Sequence, residues 1–228
     1  MKLVFVRHGK PDYIHDCLTP EGKRQAAAVA ERLAGEGISE IYASPCGRAS
    51  ETASYTALRL GLPVTTLDFM HEITWGGNGI PFEGHPWTLS NMMMEEGFDF
   101  QNQNWQMHPF FRDNAATLHH RNVTAQFDAF LCNQGYAHEG RRFLCTAENE
   151  KTIAVFSHGG SGGCVLAHLL DLPLPYVFSV MPFGLTSIIT LYFDVKPGCY
   201  VFPRLCLFND CAHVEQMGDG LAIQSKSE

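Results

Sequence analysis

The sequence predicts an α/β fold in three layers: a mainly parallel sheet with helices on both faces. Three observations carry this expectation. Residues 3–6 form a short apolar run rich in β-branched side chains, cut off by Arg7-His8-Gly9, which is the pattern of a buried strand ending in a turn. Strand-like and helix-like patterns then alternate through residues 1–67, the rhythm of a helix-flanked parallel sheet. The same pattern returns at 152–170, where an apolar run gives way to Ser157-His158-Gly159-Gly160-Ser161-Gly162-Gly163 and a further helix.

In order, residues 10–18 read as a polar loop, and Thr19-Pro20-Glu21-Gly22 as a helix start. Thr19 can cap, proline suits the first helical position, and Glu21 suits the positive end of the helix dipole. Ala26, Ala27, Val29, Ala30 and Leu33 make the apolar face, and Gly35 and Gly37 end the helix. Residues 38–43 read as a second strand, 48–60 as a second helix closed by Gly61, and 64–67 as a third strand. Periodicity then lapses between 71 and 118. This stretch reads as an insertion, about 73–118, with a helix near 87–96. A segment this long inside a compact fold generally serves as a lid or specificity cap. A helix over 119–133, the 152–156 strand, a helix through Leu170 and strands at 187–193 and 200–207 follow, with a frayed polar tail at 218–228.

Bulk properties narrow the function. At 228 residues the chain is expected to form one domain, 1–228. Its net charge of −8 argues against a nucleic-acid or anionic-membrane partner. No apolar stretch is long enough to span a bilayer, and the first apolar run is too short for a signal peptide. The eight cysteines show no CxxC pair or zinc spacing, so they are expected to be reduced, mostly buried thiols of a cytoplasmic protein. Oligomeric state leaves no legible signal.

Loops that follow parallel strands open on one side of the sheet. Arg7 and His8, Arg48, His71 and Glu72, and His158 and Gly159 all stand in such loops. A guanidinium fork matches phosphoryl oxygens, and a neutral imidazole can attack phosphorus. Each residue alone also has a structural reading. His8 could be a hydrogen-bonded strand-end histidine, and Arg48 a solvated helix-start residue. Glu72 could be a surface carboxylate, with Glu83 a nearby rival, and His71 reads as structural. His85, His108, His119, His120 and His138 show no ligand spacing.

Val6-Arg7-His8-Gly9, Leu18-Thr19-Pro20-Glu21-Gly22 with Gln25-Ala26, Ser44-Pro45-Cys46-Gly47-Arg48-Ala49 with Glu51-Thr52-Ala53, His71-Glu72-Ile73 and Val155-Phe156-Ser157-His158-Gly159-Gly160 together resemble the histidine phosphatase superfamily, the phosphoglycerate-mutase-like fold. The likeness covers roughly 1–75 and 150–215, and Asn209 to His213 resembles a late motif of its small phosphatases. The resemblance implies hydrolysis of a small phosphorylated metabolite without metal or cofactor; the insertion lies outside the likeness and is expected to cap the active site. His8 would be the nucleophile that forms phosphohistidine. Arg7, Arg48, His158 and Gly159 would hold the phosphoryl group. Glu72 would be the proton donor and then the acceptor, and Asn209 and His213 are candidates for the pocket wall. Lys10 follows the first motif where the family often has an acidic or amide residue. The loop carries Asp12 and Tyr13 in place of the family's asparagine. His71-Glu72-Ile73-Thr74-Trp75-Gly76 lacks the longer motif of true mutases, which favours a phosphatase.

Three rival readings stand beside it. Gly159-Gly160-Ser161-Gly162-Gly163 contains G-x-S-x-G on a strand-to-helix turn, as in a serine hydrolase, and Asp194 and His213 follow in triad order. A phosphate-binding module without catalysis, and a phosphoglycerate-mutase-like phosphotransferase, are the others.

Overall fold

The computed structural model describes residues 1–215, the last by its backbone alone, so the expected frayed tail lies outside the described residues. The elements in chain order are β1 (Lys2–Arg7), β2 (Pro11–Asp12), β3 (Cys17–Leu18), α1 (Pro20–Leu33), β4 (Ile38–Ala43), α2 (Gly47–Leu60) and β5 (Val64–Thr66). Then follow α3 (Pro86–Glu95), α4 (Ala115–Asn133), β6 (Tyr136–Glu139), β7 (Arg142–Cys145), β8 (Thr152–Ser157), α5 (Gly159–Leu169), α6 (Leu174–Val180), β9 (Ile188–Tyr192), β10 (Tyr200–Val201), β11 (Arg204–Asp210) and α7 (Ala212–Glu215).

Six of the described strands form the main sheet, in the order β11-β9-β1-β8-β4-β5. The pairs β1–β8, β8–β4 and β4–β5 are parallel, while β9 runs antiparallel to both β1 and β11. The sheet is therefore mixed, with β9 alone reversed. β1 lies at its centre, with Arg7 level with Ser157 of β8.

Side-chain alternation along β1 builds the two outer layers. Val4 and Val6 point into a cluster with Val29 and Leu33 of α1 and Ala53 and Ala57 of α2. Leu3 and Phe5 point the other way, into a larger cluster with Phe127 and Leu131 of α4 and Val165 and Leu169 of α5. α1 begins as its residues dictate: the Thr19 side chain accepts from Gly22 N at 3.1 Å, with Pro20 at the first position.

Several expectations need correction. Residues 10–18 are not a simple loop, because β2 and β3 pair across it. The third strand ends at Thr66. α4 starts at Ala115 rather than 119, because Asn114 caps it by accepting from Ala116 N at 3.0 Å. The hairpin β6–β7, extended by β10 into a three-stranded sheet, and the helix α6 have no counterpart in the sequence reading. The cysteines are not mostly buried: Cys145, Cys164 and Cys211 are buried, while Cys132, Cys199 and Cys206 are exposed. Among the described residues, no helix is long and apolar enough to cross a membrane.

Candidate active site

Three strand ends meet at one place. Arg7 ends β1 and His8 follows it, the loop after β4 leads to Arg48 in the first turn of α2, and His158 joins β8 to α5. Glu72 arrives from the segment after β5. One donor atom of each of His8, Glu72 and His158 lies within 4.8 Å of the others.

His8 is buried, and its Nδ1 donates to Gly9 O at 2.7 Å. This bond fixes the tautomer and leaves the lone pair on Nε2. Burial first, then the Arg7 and Arg48 guanidinium groups, hold the imidazole well below the ordinary histidine range. The ring is therefore neutral and nucleophilic at neutral pH. The turn that carries it presses on α1: a Cβ on Gly9 would lie 2.7 Å from Gly22 O. Gly9 N donates to Thr52 Oγ1 at 3.1 Å, and Thr52 donates to Arg48 O at 2.7 Å. This ties the His8 loop to α2.

Arg7 and Arg48 are buried cations. Arg7 Nη1 donates to Phe183 O at 2.5 Å, and Arg48 Nη1 pairs with Asp16 Oδ1 at 2.5 Å. The Nε of each has no hydrogen-bond partner in the protein. Two buried guanidinium groups with donors left over are a site awaiting an anion. The same charge disfavours a cation on the His8, Glu72 and His158 cluster. Asp16 also accepts from Gly47 N at 2.7 Å, and Tyr13 lies under the Arg48 guanidinium, 5.4 Å from ring centroid to Cζ.

His158 is buried, and its ring crosses that of His8 at 5.1 Å. Its Nε2 meets Ser44 Oγ at 2.7 Å, and Ser44 Oγ accepts from Cys46 N at 3.2 Å. The Ser44 proton is thus available to His158 Nε2, which puts the proton of the neutral ring on Nδ1. Burial, then His8, Arg48 and Arg7, push its pKa far down. Nδ1 has no hydrogen-bond partner and stands 3.9 Å from Glu72 Oε2.

Glu72 is oriented by backbone. Its Oε1 accepts from Ile73 N at 2.8 Å, Gly160 N at 3.0 Å and Ser161 N at 3.3 Å, so the first turn of α5 grips one oxygen and leaves the other. Burial raises its pKa above the usual carboxylate value, against the opposing pull of the Ile73 N–H and the two arginines. Its side chain keeps 27% exposure, enough for access. Gly160 must be glycine, since a Cβ there would lie 2.5 Å from Glu72 Oε1 and 2.2 Å from Ile73 Cγ2. Gly159 opens α5 beside Arg7, with its Cβ position 3.7 Å from Arg7 Nε.

The other candidates sit elsewhere. Glu83 is exposed in a short turn (φ 55°) of the insertion. His71 is exposed, its ring packed edge-on to His119 at 4.7 Å. Lys10 adds little free charge, because its ammonium pairs with Glu21. Asn209 and His213 brace the loop behind the site. Asn209 Oδ1 accepts from Gly184 N at 2.7 Å, and His213 Nε2 meets Thr186 Oγ1 at 3.0 Å. That loop supplies Phe183 O to Arg7, and Thr186 N donates to His8 O. The serine triad does not assemble. Ser161 Oγ is buried against Ser157 Oγ at 2.7 Å, Asp194 pairs with Arg204, and His213 faces Thr186. Sequence reasoning gave no role to Ser44, Thr52 or Asp16. The first two lie inside quoted motifs, and Asp16 left no signal.

Comparison with known proteins identifies the family and the fold. A family model described as histidine phosphatase superfamily (branch 1) matches residues 3–198. The probable phosphoglycerate mutase GpmB of Yersinia enterocolitica is 28% identical over 189 residues, 76% of either chain. A phosphoserine phosphatase of Entamoeba histolytica, solved with phosphoserine, superposes with a TM-score of 0.62 at 26% identity, covering 93% of this chain and 98% of that one. A mycobacterial glucosyl-3-phosphoglycerate phosphatase, solved with VO3, superposes with a TM-score of 0.61 at 20% identity, covering 91% and 98%.

Proposed function

Because the chain belongs to the histidine phosphatase superfamily, whose matched relatives are phosphatases and a mutase, we propose that it hydrolyses a small phosphomonoester through a phosphohistidine on His8. One observation carries the reading: the neutral His8, with its lone pair on Nε2, sits among two buried guanidinium groups whose Nε donors are unspent.

The first step forms a bond from His8 Nε2 to phosphorus and breaks the bond from phosphorus to the ester oxygen. Glu72, whose carboxyl pKa is raised by desolvation, gives its proton to that leaving oxygen. In the second step Glu72 takes a proton from water, whose oxygen attacks phosphorus and releases His8. Arg7, Arg48 and the Nδ1–H of His158 stabilise the equatorial oxygens in both steps. Fixed cations supply the charge that a metal supplies in other phosphoryl-transfer enzymes, so the reaction requires none.

The insertion caps this pocket. Ile73 joins it to Glu72, and Trp87 stacks on Phe178 of α6 at 4.5 Å, just before the loop that holds Arg7. Trp75, His85 and Trp87 form one aromatic cluster, with Trp75 and Phe82 exposed. Such a wall suits a compact leaving group with an apolar face.

The test is phosphate release from p-nitrophenyl phosphate in EDTA, by wild type and by His8→Ala. Activity that survives the chelator and disappears with His8 supports the reading; equal activity in both chains sinks it. The mutase-like relative favours a second reading, transfer to an acceptor. A labelled phosphoryl group kept on an acid or sugar acceptor, rather than released to water, would identify it.

A further inference from the structure

A second convergence of ligand-type side chains lies away from the phosphate pocket. Asp128 is on α4, His138 on β6 and His168 in the last turn of α5. Asp128 Oδ2 stands 3.0 Å from His138 Nδ1, and Oδ1 stands 2.8 Å from His168 Nε2. One donor atom of each lies within 4.8 Å of the others. The two imidazoles cross at 4.7 Å and 89°, and the His138 ring is stacked flat on Phe143 at 4.5 Å and 12°. The side chains keep 17–29% exposure, so water and ions can reach them.

We propose that Asp128, His138 and His168 form a binding site for one divalent transition-metal ion of the Zn2+ class. Two imidazoles and one carboxylate are a donor set suited to such ions. Three different elements contribute one ligand each, and the phosphoryl chemistry has no use for them. Each Asp128 oxygen stands at hydrogen-bond distance from one imidazole nitrogen; a divalent ion taking the place of the bridging protons would bind all three groups at once. Partial exposure leaves room for water to complete the coordination. At 1.5 Å rise per residue along α5, the site is about 15 Å from His158, so it is distinct from the catalytic cluster. The ion would fasten α4, which leads out of the insertion, to β6 and to the far end of α5. The inference does not depend on the reaction proposed above.

The chain, stripped with EDTA, is titrated with Zn2+ alone, and in parallel with Co2+ followed by visible absorption. Wild type should bind one equivalent, develop d–d absorption without a thiolate charge-transfer band, and melt at a higher temperature with Zn2+. His8→Ala should behave the same. His138→Ala and His168→Ala should each weaken Zn2+ binding by more than ~100-fold, beyond the 10–100-fold usual for lost outer-shell partners, and Asp128→Asn should weaken it in the same direction. The His138→Ala/His168→Ala double variant, shown folded by circular dichroism, should lose the Zn2+-dependent melting shift while releasing phosphate in EDTA like wild type. Failure of folded wild type to bind Zn2+, unchanged binding in the double variant, loss of binding in His8→Ala, or a thiolate band would each overturn the site.

Discussion

His158 Nδ1 stands 3.9 Å from Glu72 Oε2, and neither atom is tied to backbone. A bound phosphoryl oxygen can accept from the imidazole while the carboxylic acid reaches the leaving oxygen beside it. Glu72→Gln should therefore lower kcat by about 10²–10⁴ on an alkyl phosphate such as phosphoserine, the usual worth of a general acid. In kcat/KM, which reads only the steps up to phosphohistidine, the loss should be far smaller on p-nitrophenyl phosphate, whose leaving group departs unprotonated, even though kcat on both substrates can suffer from the lost base of the second step. Equal losses in kcat/KM on both substrates would remove Glu72 from the acid role.

The pH profile follows from two opposite shifts. Glu72 is raised, so it still carries its proton at pH values where an ordinary carboxyl has lost it; kcat should fall as pH climbs through its pKa. His8 is depressed, so the nucleophile stays neutral well below the usual histidine range, and the acid limb should be displaced downward. In Glu72→Gln the alkaline limb should vanish while the acid limb stays. An alkaline limb that persists would assign it to another group.

Gly160→Ala tests the backbone grip on Glu72. The new methyl carbon would sit 2.5 Å from Glu72 Oε1 and 2.2 Å from Ile73 Cγ2, so the carboxyl must move. A displacement near 1 Å costs on the order of 10²-fold in rate. Stopped assays on a variant with wild-type circular dichroism should show that loss in kcat. Unchanged kcat would mean the carboxyl position is immaterial.

Asp16→Asn probes the pocket charge. The Asp16 carboxylate holds Arg48 Nη1 at 2.5 Å and accepts from Gly47 N, so it competes with a phosphate dianion for the same guanidinium. The amide keeps the Gly47 bond and removes the negative charge. KM and the inhibition constant for vanadate should both fall several-fold, more at low salt than at high salt. A rise in KM would show instead that Asp16 is needed to aim Arg48.

Folded stability should weaken in mild acid. His119 is pushed down to about 4 by burial and, less, by His71. Between its ordinary value of 6.5 and that value, the unfolded chain binds the proton first, so stability is lost as pH falls through this window. The slope is up to about 1.4 kcal/mol per pH unit per group. Urea midpoints at pH 7 and pH 5 should differ less in His119→Gln than in wild type.

The strand-end residues were legible because their signals are local. The Leu3–Val6 run, the Thr19-Pro20 helix start and the glycines after His158 each declare their own backbone state. Convergence of Arg7, Arg48, Glu72 and His158 then followed from the rule that parallel strands open on one side. The β6–β7 hairpin escaped notice because Tyr136-Ala-His-Glu and Arg142-Phe-Leu-Cys are too short for a period to emerge. Asp16 escaped because a loop aspartate is commonplace; its contact with Arg48 exists only once β2 and β3 fold the loop back over α2. His138 and His168 are thirty residues apart in sequence, with no ligand spacing, and meet because α5 and β6 both pack against α4.

The central place of β1 also bears on how the protein is made. Its hydrogen-bonding neighbours are β8 and β9, with Lys2 level with Thr152 on one side and with Tyr192 on the other. During synthesis β1 emerges well before both of its partner strands, β8 and β9. Until β8 has emerged, Leu3–Val6 has nothing to pair with and waits as an uncovered apolar edge. Translation pauses or truncations within the insertion would strand it there, so the nascent chain should depend on a holding chaperone until β8 is made, and catalytic competence should appear only after β8 and β9 have emerged.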